Sequence, residues 1–81
     1  MPIDYLGFYT NFKRRFVRGR INVIPKYEIA RFAMEYANGD TEVARRLITS
    51  LVKRLGRAGI VEFTDSHWIV YDKPPLIRRG G

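Results

Sequence analysis

The sequence has no cysteine, no glutamine and a single histidine among its 81 residues. The absence of cysteine excludes disulfides and thiolate metal ligands, and one histidine is too few for a zinc site built from protein ligands alone. No uncharged apolar run is long enough to span a bilayer, and no signal-peptide pattern is present. We therefore expect an intracellular, cytoplasmic protein with no metal, no cofactor and no membrane partner.

Motifs for catalysis are also missing from the sequence. It contains no glycine-rich nucleotide loop, no carboxylate pair suited to acid–base chemistry and no cluster of metal ligands. His67 has neither a second histidine nor a nucleophile motif to act with. These absences predict a protein that is not an enzyme and that has no small-molecule substrate.

The residues that are present suffice for one small folded domain. Hydrophobic residues make up 46% of the chain and aromatic residues 14%, which distinguishes it from disordered basic tails. A chain of 81 residues forms a single domain whose stability depends on efficient packing. Because Pro74 and Pro75 stop the last predicted strand, we place the domain at residues 1–73 and a flexible tail at residues 74–81.

Positive charge is concentrated in two segments of the chain. The net charge is +7; residues 1–22 and 41–58 carry +4 each, residues 23–40 carry −1, and residues 59–81 are neutral overall. Such clustering indicates a nucleic-acid footprint more than general solubility. Arginine supplies eleven of the fifteen cations, and its planar fork suits phosphates and guanine edges. An arginine-rich chain without glutamine is equally typical of a thermophilic source, such as an archaeon or an archaeal virus.

The first predicted helix covers Asp4 to Val17. Its aromatic rings fall on one stripe at helical spacing, which predicts a strongly amphipathic helix. The rings are those of Tyr5, Phe8, Tyr9, Phe12 and Phe16. We expect most of the stripe to lie in the core; because five rings exceed what one small domain obviously needs, a homodimer interface formed by part of the stripe stays open as an alternative. The residues assigned to that interface are Tyr5, Phe8, Tyr9 and Phe12.

A short strand and a second helix follow the first cationic cluster. The β-branched run Ile21–Ile24 predicts the strand, and Pro25 suits the first turn of a helix over Lys26–Ala37. Asn38 and Gly39 close that helix. Asp40 then provides an N-cap for a third helix, so Gly39-Asp40 is a tight turn between two helices.

The third predicted helix, residues 41–58, has two contrasting halves when projected at about 100° per residue. The half suited to a core contains Val43, Ala44, Leu47, Ile48, Leu51, Val52, Leu55 and Ala58. The other half, with cations and hydroxyls, contains Arg45, Arg46, Thr49, Ser50, Lys53, Arg54 and Arg57. Gly59 ends the helix, and two strands are predicted after it, Ile60–Thr64 and His67–Tyr71, joined around Asp65 and Ser66.

This order of helix, strand, helix, turn, helix and hairpin resembles a winged helix-turn-helix domain. The likeness is sharpest over Leu47–Val61, where a helix ends in a leucine, a few polar residues and an Ala-Gly-Ile-Val sequence that opens a wing. Trp68-Ile69-Val70-Tyr71 is similar to the closing strand of that superfamily. The resemblance implies an α+β fold, mainly α, with three helices, a short strand and a C-terminal two-stranded wing.

In the DNA-binding members of this superfamily, the third helix enters the major groove. The resemblance therefore implies a protein that binds double-stranded DNA, and we expect a transcriptional regulator. The residues expected to read bases are Thr41, Glu42, Arg45, Arg46 and Thr49. The residues expected to contact phosphates are Ser50, Lys53, Arg54 and Arg57, with Lys13, Arg14, Arg18 and Arg20 from the first cluster.

Three alternatives stay open from the sequence alone. The charged face of the third helix could be an ordinary solvated surface, and Lys13–Arg20 could serve only the negative end of the first helix. The domain could bind RNA in a ribonucleoprotein, as some winged helices of small ribosomal subunits do. It could also be a docking subunit of a replication or transcription complex. The wing tip, Thr64–His67, carries an acid where arginine or lysine is expected, so we do not expect it to enter the minor groove. We expect it to cover the core, and a single phosphate contact through Ser66 or His67 is the alternative.

Overall fold

The computed structural model of the protein describes residues 2–75. In chain order, its elements are α1 (Tyr5–Phe16), β1 (Ile21–Pro25), α2 (Lys26–Tyr36), α3 (Thr41–Ala58), β2 (Val61–Phe63) and β3 (His67–Tyr71). Over this range the chain is a small, mainly helical α+β domain with three helices, as predicted, and its three strands form one antiparallel sheet. From residue 76 onward, the predicted tail lies outside the described residues. Between residues 2 and 75, no helix combines the length and apolar character that crossing a membrane requires.

The sheet has the order β1-β3-β2, so β3 is central and β1 forms one edge. Trp68 of β3 lies opposite Ile24 of β1 on one side and Phe63 of β2 on the other. Because side chains alternate between the two faces of a strand, Ile24, Trp68 and Val70 all point toward the helices, where they are buried. The predicted short strand is thus confirmed, and its partner is the closing strand of the hairpin.

Both ends of α3 are fixed by the residues that the sequence singles out. The carboxylate of Asp40 accepts hydrogen bonds from the N–H groups of Glu42 at 3.0 Å and Val43 at 3.2 Å, which confirms it as the N-cap. Gly59 ends the helix in the left-handed region at φ +71°, where a glycine meets no steric penalty. The helix therefore spans the 18 residues predicted for it.

Other predicted boundaries shift by one residue. α1 ends at Phe16 because Val17 already leaves helical geometry, although its N–H still donates to the carbonyl of Lys13 at 2.9 Å. β2 is shorter than predicted at both ends. Ile60 is still tied to α3 through a hydrogen bond from its N–H to the carbonyl of Leu55, and the hydroxyl of Thr64 bonds the backbone of His67.

The core lies between the three helices and the inner face of the sheet. Its largest fully buried side chains are Phe8, Phe12, Ile29, Leu47, Leu51, Leu55 and Val70. These residues come from α1, α2, α3 and β3. All the elements that could present a site are therefore held by one shared core.

Ala58, assigned to the apolar half of α3, is instead exposed, because it lies in the last turn, where the helix leaves the core.

The aromatic stripe of α1 points into this core. Phe8 stacks on Phe32 of α2 with ring centroids 5.3 Å apart, and Phe12 lies 6.2 Å from Trp68. Phe8 is 1% exposed and Phe12 is fully buried at 0%. The predicted dimer interface is therefore wrong for Phe8 and Phe12, because both rings already pack within a single chain.

Candidate nucleic-acid interface

The outward face of α3 is the most strongly cationic helical surface of the described chain. Its apolar residues recur three and four positions apart, so burying Leu47, Leu51 and Leu55 directs the intervening side chains to solvent. The side chains of Arg45 and Arg46 are 66% and 57% exposed. Five cations and one acid lie on this helix, the acid being Glu42. We call this surface the α3 face: Thr41, Glu42, Arg45, Arg46, Thr49, Ser50, Lys53 and Arg57.

A shallow depression of about 290 Å³ brings part of the α3 face together with α1. It is lined by Tyr5, Arg45, Arg46, Thr49, Ser50 and Lys53. Two guanidinium groups, two hydroxyls and an ammonium group thus surround one concave surface, and Tyr5 lies at its side. Such groups donate hydrogen bonds to phosphates and to base edges, and a tyrosine ring adds apolar contact area. The sequence analysis did not associate Tyr5 with α3, and the structure places this residue at the edge of the α3 face.

Glu42 organises the first two turns of α3. Its carboxylate accepts two hydrogen bonds from Arg45, through Nε and Nη2, and one from the Nε of Arg46 at 3.3 Å. These bonds, first from Arg45 and then from Arg46, lower the pKa of Glu42, and the bond to Glu42 raises the pKa of Arg45. All three groups are solvent-exposed, so the pairs are weak and easily exchanged for other partners. The arrangement therefore orients two arginine forks without locking them.

The hydroxyls on the α3 face differ in availability. Thr41 is exposed at the first position of the helix, beside the capping Asp40. The Thr49 hydroxyl donates to the carbonyl of Arg45 at 2.9 Å, a back-bond within the helix that leaves its oxygen free to accept and its methyl free for contact. Ser50 is half-buried and lines the depression beside Tyr5. Thr49 is accordingly better placed than Ser50 to touch a ligand in front of the helix.

Tyr9 joins the two cationic clusters of the chain. The ammonium of Lys13 lies 5.4 Å from the Tyr9 ring centroid, and the guanidinium of Arg54 lies 5.8 Å from the same centroid. Cations within about 6 Å of a ring face are attracted by its quadrupole. Lys13 on α1 and Arg54 on α3 are therefore held around one tyrosine. In the sequence, the four-residue spacing of Tyr5, Tyr9 and Lys13 already indicates that these residues lie on one side of α1.

The rest of the first cluster points elsewhere. Arg14 is exposed on the solvent side of α1, opposite the buried Phe8 and Phe12. Arg18 lines a depression beside β1, and Arg20 lines another with residues 71–75. Of the four cations predicted there to contact phosphates, Lys13 is the one that the structure joins to the cations of α3.

No protein-family model, curated protein or solved structure matches this chain.

The hairpin tip is folded back onto the domain. The backbone N–H of Lys26, at the start of α2, donates to the carbonyl of Ser66 at 3.1 Å, and the Ser66 hydroxyl lies 3.0 Å from Nδ1 of His67. Thr64 closes the turn, because its hydroxyl oxygen accepts from the N–H of His67 at 3.1 Å. The tip therefore lies against the start of α2, and its acid, Asp65, stays on the exposed turn.

A second acid of the hairpin is paired with a tyrosine. The hydroxyl of Tyr71 donates to the carboxylate of Glu62, and this hydrogen bond is the main cause that raises the pKa of Tyr71. The bond lies on the outer face of the sheet and joins β2 to β3. It stabilises the hairpin and contributes no cation to the α3 face.

Proposed function

We propose that this chain is a winged helix domain that binds double-stranded DNA by placing α3 in the major groove. The observation that carries the proposal is the α3 face, with its arginine forks, hydroxyls and lysine gathered around the depression beside Tyr5. With 18 residues and a rise of about 1.5 Å per residue, α3 is long enough to lie in a groove and reach phosphates on both sides. A helix with this chemistry suits the major groove, which is wide enough to admit it.

The position of each residue along α3 suggests a division of roles. The residues proposed to read bases, Arg45, Arg46 and Thr49, lie in its first half, where Glu42 orients the two arginine forks. Arg forks pair with the O6 and N7 atoms of guanine, and a threonine methyl can contact the methyl group of thymine. Lys53 and Arg57 lie further along the helix, where a lysine point charge and an arginine fork both suit contacts to backbone phosphates. A domain that reads sequence in this way fits a transcriptional regulator.

Binding titrations with duplex DNA test this proposal. A random duplex library first gives the preferred sequence, and Arg46→Ala and Lys53→Ala are then compared on preferred and scrambled duplexes. Losing a bidentate base contact costs about 1–3 kcal/mol, so Arg46→Ala should weaken the preferred duplex and relax its selection. Lys53→Ala should weaken all duplexes to a similar degree. Arg31→Ala is the matched control, since it removes an exposed arginine from α2, away from the α3 face.

Two results would contradict the proposal. If Arg31→Ala weakens binding as much as Arg46→Ala and Lys53→Ala do, the interaction depends on net charge and not on the α3 face. If a structured RNA displaces the preferred duplex at lower concentration than unlabelled duplex does, the domain is an RNA binder. The first outcome is measured by the binding titrations and the second by competition, both at one fixed salt concentration.

A further inference from the structure

The edge strand β1 presents an uncovered apolar stretch. Ile21 and Val23 are 64% and 62% exposed, although β-branched side chains usually pack against neighbours. Both residues lie on the outer face of the sheet, opposite Tyr71 and Ile69 of β3. An edge strand with exposed aliphatic side chains is a template for pairing with another strand.

The backbone of β1 is unpaired on its outer side in a regular pattern. At one end of the strand, the carbonyl of Arg20 accepts from Asp72, and at the other end the N–H of Lys26 donates to Ser66. Backbone groups alternate in direction along an antiparallel strand, so Asn22 and Ile24 also bond toward β3. Ile21 and Val23 therefore direct their N–H and C=O groups away from the sheet.

A groove runs along this free edge. Its volume is about 380 Å³, and all five residues of β1 line it. The remaining lining residues are Arg15, Phe16, Arg18 and Glu28. The end of α1 and the start of α2 thus form walls beside β1 and leave the edge itself open.

We propose that β1 pairs antiparallel with β1 of a second copy of this chain, about a two-fold axis at Asn22. In this register, Ile21 lies opposite Val23 of the second copy, and Val23 lies opposite Ile21 of the second copy. Each pair exchanges both of its outward N–H and C=O groups, which is the hydrogen-bonded pairing of an antiparallel ladder. Pro25, which has no N–H, falls outside these pairs. The free edge is therefore self-complementary, as a two-fold interface requires.

The charges at the two ends of the groove favour a second copy over an unrelated strand. Arg18 precedes β1 and Glu28 follows it, and both line the groove. Antiparallel pairing brings the beginning of one strand beside the end of the other, so Arg18 of each copy lies toward Glu28 of the second copy. Opposite charges then meet at both ends, and Ile21 and Val23 of the two copies meet side by side on the outer face.

This interface goes beyond the proposed DNA binding and does not depend on it. It uses β1 and the ends of α1 and α2, whereas the proposed DNA contacts lie on α3. Dimerisation is accordingly expected in the absence of nucleic acid. Either proposal can fail without affecting the other.

Sedimentation equilibrium of the full chain without DNA, from micromolar to millimolar concentration, tests the interface. The wild type should dimerise, and Val23→Lys should raise the dissociation constant by about tenfold or more, since it places one new charge on each side of the two-fold axis, diagonally across the paired strands. Val23→Pro should have the same effect by deleting an outward N–H. Leu6→Lys is the matched control, because Leu6 is 60% exposed on α1 and receives the same new charge. It should leave the dimer intact.

Amide hydrogen exchange of the wild type gives a second measurement that needs no variant. Exchange at Ile21 and Val23 should slow as protein concentration rises, while exchange at exposed loop amides should stay constant. A wild type that is monomeric throughout the concentration range overturns the proposal. So does a dimer that is lost in Leu6→Lys and kept in Val23→Lys, because it would form through α1. If Val23→Lys or Val23→Pro fails to fold, as judged by circular dichroism, the exchange result decides.

Discussion

Glu42 controls how much positive charge the α3 face offers to a ligand. It is the only acid in α3, and its carboxylate holds Arg45 and Arg46. A base-reading role, expected from the sequence, would require Glu42 to release these arginines and accept a hydrogen bond from a cytosine amino group. The contacts within the free protein favour a different role, in which Glu42 orients the forks and offsets their charge.

The substitution Glu42→Gln separates these two roles. If Glu42 mainly offsets charge, the variant should bind all duplexes more tightly, because one negative charge near the phosphates is removed. If it reads cytosine, binding should weaken on the preferred duplex alone. Titrations of wild type and variant with preferred and scrambled duplexes measure the difference. Glu35→Gln, which removes an exposed acid from α2, controls for the change in net charge.

Glu42→Gln should also change how the free energy of unfolding depends on pH. Because its arginine partners lower the pKa of Glu42 from the ordinary value of 4.5, the pairing stabilises the folded chain fully above that pH. This contribution is lost as the pH falls through the lowered pKa. In Glu42→Gln, this part of the pH dependence should be absent. The free energy of unfolding, measured by denaturant titration on both sides of pH 4.5, tests this expectation.

At the scale of the element, the end of α3 depends on Gly59, which adopts a left-handed conformation at φ +71°. A Cβ atom added there meets nothing within 4 Å, so the cost of Gly59→Ala is conformational and amounts to about 1–2 kcal/mol of unfolding free energy. Gly56 lies three residues earlier, inside the helix and equally open. Gly56→Ala should therefore stabilise the chain by about 0.5–1 kcal/mol. Thermal or denaturant unfolding of the two variants should give changes of opposite sign, and changes of the same sign would show that α3 does not end at Gly59.

The sequence predicted α3 and β3 to the residue because strong local signals bound them. Asp40 and Gly59 mark the ends of α3, and a run of aromatic and β-branched residues between the Thr64–Ser66 turn and Asp72 marks β3. β2 was overextended because Thr64 has high strand propensity, whereas its hydroxyl is used to close the turn on His67. Local propensity cannot anticipate such a bond, since it depends on the geometry of the completed hairpin.

At the scale of the whole molecule, sequence periodicity shows which face of a helix is apolar but not what that face meets. The stripe of α1 seemed larger than one core needs because Phe32, on α2, was not recognised as the partner of Phe8, Phe12 and Phe16. The α3 face itself was predictable, since it follows from helical spacing alone. The approach of Tyr5 and Tyr9 to that face was not, because it depends on how α1 packs across α3.

The packing of α1 across α3 also determines which cations outside α3 lie near the α3 face. Lys13 and Arg54 share the Tyr9 ring, whereas Arg20 lines a depression with residues 71–75. Affinity for duplex DNA falls as salt concentration rises, so a plot of log affinity against log salt concentration has a negative slope. If α3 binds duplex DNA, Lys13→Ala should make this slope less steep by about 0.9, as expected for one lost phosphate contact. Arg20→Ala should leave that slope unchanged, because its guanidinium lies away from the α3 face. Duplex titrations over a series of salt concentrations measure both slopes. Equal decreases would mean that the DNA contacts both cationic regions, and no change in Lys13→Ala would confine the footprint to α3.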